Sequence, residues 1–230
     1  MRYLNPDEHL RTKKELSGHY ARMQSWAIRE GKALRWLDKV PRDSRILECG
    51  CGSGYFAREL LGAGFTDIHT TDIDDFVVFD EVRKIGHFTK VDLSFDRFPF
   101  GDATFDLIIA QQVLEHVENP WHAVREFKRL LKKGGRCIIS IPRADALPYR
   151  WSFLIHRSPD VLHMPVNNDV NFFIPDLLQR LFRNSEWRLE WVDYPKSFIR
   201  LTSKRKIRLP DWLWINKILA RRIAFSFFKV

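Results

Sequence analysis

The segment Ile46-Leu47-Glu48-Cys49-Gly50-Cys51-Gly52-Ser53-Gly54 sets three glycines at alternate positions directly after a short apolar run. Glycine admits positive φ and lets a ligand reach the bare main chain, so such a loop suits ligand binding at the carboxyl end of a first strand. The plain alternative is a tight strand-to-helix turn that holds nothing. The spacing is not the dinucleotide pattern G-x-G-x-x-G, whose third glycine would fall on Tyr55, and no Gly-Lys-Ser/Thr follows as a phosphate loop requires. Glu48, two residues before the first glycine, would repel a pyrophosphate but attract an ammonium group. Asp72 stands 18 residues past Gly54, where a carboxylate can take both hydroxyls of a ribose. Taken alone it reads equally well as a turn acid beside Asp74 and Asp75. Asp92 closes a weaker third segment, where a carboxylate can accept the exocyclic amine of adenine; alone it is equally ambiguous. Together, a glycine loop and three acids at consecutive strand ends describe a nucleoside with an amino-acid tail.

The elements that would hold these residues alternate. Residues 5–38 read as helical, with Trp26, Ile28, Leu34 and Leu37 on an irregular apolar face and Pro41 as a stop. Strands are predicted over 45–48, 66–73, 88–93, 105–110 and 136–141, with a helix carrying Ala57, Leu60 and Leu61 after the glycine loop. Asn119-Pro120 predicts a helix start, with Ala123, Val124, Phe127, Leu130 and Leu131 on one face. Its end is expected at Gly134-Gly135, with Lys132 and Lys133 in the last turn. Beyond Pro142 the pattern weakens to a helix over 174–182, a strand over 187–192, a basic loop over 196–209, an amphipathic helix from Pro210 and a final strand over 225–230. Alternating, largely apolar strands and helices predict an α/β, Rossmann-like, doubly wound and mostly parallel sheet with helices on both faces. The expected division is an N-terminal helical cap over 1–42 and one domain over 43–230, in which 144–185 faces the acceptor and 196–230 is a basic tail.

The motif order resembles the class I S-adenosylmethionine-dependent methyltransferases. Residues 46–54 look like that family's first motif and Thr71-Asp72-Ile73-Asp74 like its ribose motif. Val91-Asp92-Leu93 with the stretch 98–108 resembles the adenine motif and fourth strand, and residues 114–120 and 130–135 complete the sequence. The likeness covers about 43–143 and is closest to the small-molecule branch that includes ubiquinone- and menaquinone-pathway enzymes. It implies about seven strands and S-adenosylmethionine as cofactor. Gly50, Gly52 and Gly54 would pack on its methionine part, with Glu48 near the amino group. Asp72 would bind the ribose, with Ile73 flanking the adenine; Asp92 would meet the adenine amine, with Leu93 beside the ring. Gln111 would line the methionine side, and Tyr20 or Trp26 would close over the site unless they serve only as core aromatics. Glu48 for the commoner Asp and Ser53 for the commoner Thr are the departures.

The implied reaction is methyl transfer to an oxygen, nitrogen or carbon nucleophile of a small-molecule, lipid-linked or saccharide acceptor. No catalytic residue is assigned. Glu115 and His116 follow the fourth strand, and His156 and His163 lie in the variable segment near Asn167-Asn168-Asp169, but each also reads as an ordinary structural residue. Gln111-Gln112 is not the Asn/Asp-Pro-Pro-Tyr motif of amino-methylating nucleic-acid enzymes. Cys137 lacks the preceding proline of a cytosine-C5 nucleophile, and Cys49-x-Cys51 has no second ligand pair for a metal. The rival readings are a non-catalytic scaffold that keeps the cofactor fold and a nicotinamide oxidoreductase, the latter opposed by Tyr55 and Glu48.

At 230 residues and 45% hydrophobic, the chain is long enough for a full core and too apolar for disorder. Three cysteines make no disulfide framework, and the first residues show no signal-peptide pattern, so a cytoplasmic location is expected. After residue 195 there are ten Lys/Arg and one acid, which accounts for the whole net charge of +9. Nucleic acid is not the expected partner, because the rest of the chain is neutral. Clustered cations with tryptophans suggest peripheral contact with an anionic membrane through 196–230, against the alternative of a solvated loop and a packed helix.

Overall fold

The computed structural model describes residues 34–85, 87–156, 170–183, 186–194, 198–200, 206–208, 213–220 and 222–230. In chain order the elements are β1 (Ile46–Cys49), α1 (Tyr55–Gly62), β2 (Ile68–Asp72), α2 (Asp80–Ile85), β3 (Phe88–Lys90), β4 (Phe105–Gln111), α3 (Pro120–Leu130), β5 (Leu131–Pro142), α4 (Leu147–His156), α5 (Pro175–Leu181), β6 (Trp187–Asp193), β7 (Phe198–Arg200), β8 (Lys206–Arg208), α6 (Leu213–Leu219) and β9 (Arg222–Lys229). Short 3-10 turns cover Leu34–Leu37 and Leu114–His116. The seven-stranded sheet runs β3-β2-β1-β4-β5-β9-β6, parallel from β3 to β5 and antiparallel where β9 meets β5 and β6. This is the expected doubly wound sheet.

Strand periodicity sorts the core onto two faces. Leu47, Ile108, Ala110, Cys137 and Ile139 join one cluster with Phe127 and Leu130 of α3 and Leu178 and Leu181 of α5. Their strand neighbours Ile46, Ile68, Leu107, Ile109 and Ile138 join the other, with Phe56, Ala57 and Leu60 of α1 and Val82 of α2. Successive side chains of a strand point to opposite faces, so a strand covered on both sides must be apolar throughout.

Several elements differ from the sequence expectation. Helix α3 starts as predicted, with Asn119 Oδ1 accepting from the His122 N–H at 3.1 Å. It ends at Leu130, not at the glycine pair. Leu131 already pairs with Phe105, and the last helical carbonyls have partners: Thr104 N–H donates to Leu130 O and Lys229 Nζ to Lys128 O. Helices α2 and α4 were not foreseen. The basic stretch 196–209, expected as a loop, contains β7 and β8, paired antiparallel. The last strand is longer than expected and lies inside the sheet, with Ile223, Ala224, Phe225, Ser226 and Phe227 all buried. Of the expected N-terminal cap, Trp36, Leu37 and Val40 are buried, and Trp36 Nε1 donates to Asp193 Oδ2 at 3.0 Å. The remainder, with Tyr20 and Trp26, lies outside the described residues.

Candidate cofactor site

Between β1 and β4 the strand order reverses direction, and open α/β sheets bind ligands outside the carboxyl ends of the strands at such a crossing point. The candidate residues gather there. Glu48 pairs in register with Thr70 and Ile109, and Gln111 with Ser140. Parity places Glu48, Asp72, Gln111 and Ser140 on one face of the sheet, the face that carries α1.

The glycine loop is held against β2. Gly50 and Cys51 N–H groups both donate to Thr71 O, at 2.7 and 3.0 Å, and Gly52 N–H donates to Asp72 Oδ2 at 2.8 Å. Asp72 Oδ1 accepts from its neighbour Ile73 N–H at 2.8 Å. Asp72 therefore orders the loop with one oxygen and the chain leaving β2 with the other. Gly50, Gly52 and Gly54 all have positive φ, at 69°, 51° and 78°. At Gly50 an added Cβ would lie 2.4 Å from Val113 Cγ2, so glycine there permits close packing. At Gly52 it would meet nothing within 4 Å, leaving open space over the main chain.

Glu48 is the electrostatic centre. It is buried, and its Oε2 has no hydrogen-bond partner among the described residues. Burial chiefly, then the Asp72 charge, pushes its pKa up to about 8, against an opposing hydrogen bond from the Ala57 backbone. A buried carboxylate with an unused oxygen fits a cationic group and is costly without one.

The structure adds residues that the sequence did not single out. Gln112 has φ of 54°, uncommon outside glycine, and its N–H donates to Ser140 O at 2.9 Å. The amide nitrogens of Gln111 and Gln112 and the Ser140 hydroxyl are buried without hydrogen-bond partners among the described residues. Counting Glu48, four polar groups of β1, β4 with the residue after it, and β5 are buried without partners among the described residues, which makes them candidate ligand contacts, since buried polar atoms are otherwise paired. A left-handed glutamine has no signature in residue type, so no sequence pattern would have found it.

Other candidates fall differently. Asp92 does not end β3 but lies two residues beyond it. The last link to β2 is Val91 N–H to Asp72 O, after which Asp92 Oδ1 accepts from Ser94 N–H at 2.9 Å and caps a turn. Ile73 is half-buried beside the site, whereas Leu93 is buried with Val91 in the cluster on the α3 side. Glu115 is buried, and its carbonyl oxygen anchors the backbone of Val170 and Asn171; His116 is half-buried in the same 3-10 turn. His163 and 167–169 lie outside the described residues, and nothing is assigned to the His156 side chain. Cys49, Cys51 and Cys137 are buried free thiols, and burial pushes Cys49 and Cys137 well up, away from nucleophile chemistry. Potential metal ligands converge at Asp67, His69 and His87, at the opposite, amino end of the strands. There Arg45 Nε donates to His69 Nε2 at 3.2 Å and lies 3.6 Å from Asp67 Oδ2, so a cation already faces both.

The model of a methyltransferase domain family matches residues 21–192. A 27-O-demethylrifamycin SV methyltransferase of Amycolatopsis mediterranei is 28% identical over 109 residues, 40% of this chain and 36% of that protein. An uncharacterised protein of Methanocaldococcus jannaschii is 33% identical over 106 residues, 46% of this chain and 44% of its own length. The chain thus spans less than half the length of these curated relatives. A Thermotoga maritima structure, described as an S-adenosylmethionine-dependent methyltransferase and possible histamine N-methyltransferase, superposes with a TM-score of 0.65. It covers 96% of this chain and 99% of that one at 20% identity, a likeness of fold.

Proposed function

Since the chain belongs to the methyltransferase domain family, whose fold and members imply S-adenosylmethionine as cofactor, we propose that it transfers a methyl group from that donor to an oxygen, nitrogen or carbon nucleophile of a small-molecule, lipid-linked or saccharide acceptor. The observation that carries this reading is the buried Glu48 carboxyl with a free Oε2, beside the open backbone of Gly52 and on the same face as Asp72. A ligand ammonium group suits Glu48, the bare peptide at Gly50, Gly52 and Gly54 suits a methionine chain, and the Asp72 carboxylate at the end of β2 suits ribose hydroxyls. Ile73 and Asp92 are proposed at the adenine, with Leu93 behind it. Gln111, joined by Gln112 and Ser140, would line the methionine end.

When bound, the cofactor supplies a methyl group activated by the adjacent sulfonium, with a neutral leaving group. The protein's part is to align the acceptor, and proximity of this kind contributes several kcal/mol. Glu48 works as a charge gate. Its carboxyl holds a proton at neutral pH in the free protein and releases it when a cation arrives. The Gln111 and Gln112 amides donate hydrogen bonds but accept no proton, so neither serves as a general base.

The test is a labelled-methyl assay against a fractionated metabolite and lipid extract. Label moving into an extract component supports the reading. Tight binding of adenosylhomocysteine with no transfer to any fraction contradicts it and assigns the fold a scaffold role.

A further inference from the structure

Helix α4 turns an apolar stripe outward. Leu147, Trp151 and Leu154, at i, i+4 and i+7, are 45%, 63% and 74% exposed. Helix α6 contacts α4 and does the same with Trp214 and Ile218, 61% and 45% exposed. Amphipathic helices ordinarily bury such stripes; two touching helices that both expose apolar side chains, Phe153 and Ile155 of α4 among them, mark a contact site.

Charge selects the occupant. Arg150 on α4 and Lys217 on α6 are exposed, β8 carries Lys206 and Arg208, and the chain after residue 195 holds ten basic residues against one acid. Tryptophan and aliphatic side chains, with exposed Arg150 and Lys217 on the same two helices, match an anionic bilayer interface. At ten and seven residues, α4 and α6 are far too short to cross a bilayer and suit lying in its surface plane. The patch is fixed to the site. Arg143, 5% exposed and directly after β5, donates to Lys217 O at 2.7 Å and to Ala220 O at 3.4 Å, and it grips Asp145 with two further hydrogen bonds. The apolar face is therefore tied to the carboxyl end of β5, three residues past Ser140.

We propose that the α4–α6 face docks on an anionic membrane surface and that the methyl acceptor is drawn from that bilayer. The second half rests on the methyl-transfer reading; the docking does not. Each basic residue near the surface strengthens association about fivefold, so binding should fall steeply with salt.

The experiment is flotation of the full chain with phosphatidylcholine vesicles, with and without phosphatidylglycerol. Binding at least tenfold stronger to the anionic vesicles is expected. Trp151→Ser with Leu154→Ser should lose at least tenfold, at unchanged melting temperature and unchanged adenosylhomocysteine affinity by calorimetry. Lys217→Glu should weaken flotation alone. Equal binding to both vesicles, binding to neither, or undiminished flotation of the double variant overturns the docking. So does a wild-type dimer that the double variant disperses without any flotation, which gives the face to a second copy. Flotation without adenosylhomocysteine binding leaves docking standing and removes the methyl-transfer reading. Label entering only water-soluble fractions removes the bilayer as acceptor source.

Discussion

Glu48 ties stability to function through one proton. Its folded pKa, about 8, lies above the ordinary carboxyl value of 4.5, so the folded state holds the proton more tightly than the unfolded chain. The associated stability is complete below pH 4.5 and is lost as pH rises to about 8. Glu48→Gln removes this dependence. The variant should melt higher than wild type at pH 8.5 yet bind adenosylhomocysteine at least tenfold more weakly, as melting curves across pH and calorimetry would report. A wild-type melting temperature rising between pH 5 and 8 relative to the variant would contradict the assignment. The two loop glycines should part company in a similar way. Gly50→Ala meets Val113 and a strained φ, costing about 3 kcal/mol in chemical denaturation. Gly52→Ala meets open space, so it should cost only about 1 kcal/mol of backbone strain but remove most cofactor affinity.

Elements were legible where their signals are local. Asn119-Pro120 announced α3, and Asn119→Ala should lower stability by about 1 kcal/mol, measured by denaturant melts. The end of that helix was not legible, because β4 pairing and Lys229 from β9 stop it before the glycines. Helix α4 was hidden because Phe153 and Ile155 flank its stripe, so that residues 151–155 read as a nearly continuous apolar run without a clear helical period. Strand β9 was partly hidden in a basic count, its interior apolar but for Ser226 between Arg222 and Lys229. The segment entering β4 depends on a distant arginine as well. Arg129 holds Glu126 and the carbonyls of Phe98 and Phe100, and Glu126 accepts from Phe98 N–H at 3.0 Å. Burial opposes ionisation of Glu126, but Arg129 outweighs it and keeps the carboxyl below its ordinary range. Arg129→Met should therefore cost about 3 kcal/mol at pH 7 by leaving that carboxylate buried and unpaired. The loss should shrink toward pH 4, where protonating the carboxylate removes the charge that Arg129 stabilises.

At the scale of the molecule, the sequence made the sheet, its order of motifs and the candidate glycine–acid site legible, because β1, β4 and β5 carry apolar runs and each acid stands near a strand's carboxyl end. It singled out Gln111 but not Gln112 and Ser140, whose place beside it depends on strands β4 and β5 meeting in register. Charge divides along the chain as well: residues 1–195 are neutral and the net +9 falls on 196–230. Among the described residues no helix is long and apolar enough to cross a membrane. The most direct measurement is calorimetric titration of the folded protein with adenosylhomocysteine at pH 7, in two buffers of different ionisation enthalpy. One site per chain, with a proton released as Glu48 ionises, is the predicted result. No heat in either buffer from a protein that still melts cooperatively would contradict the account.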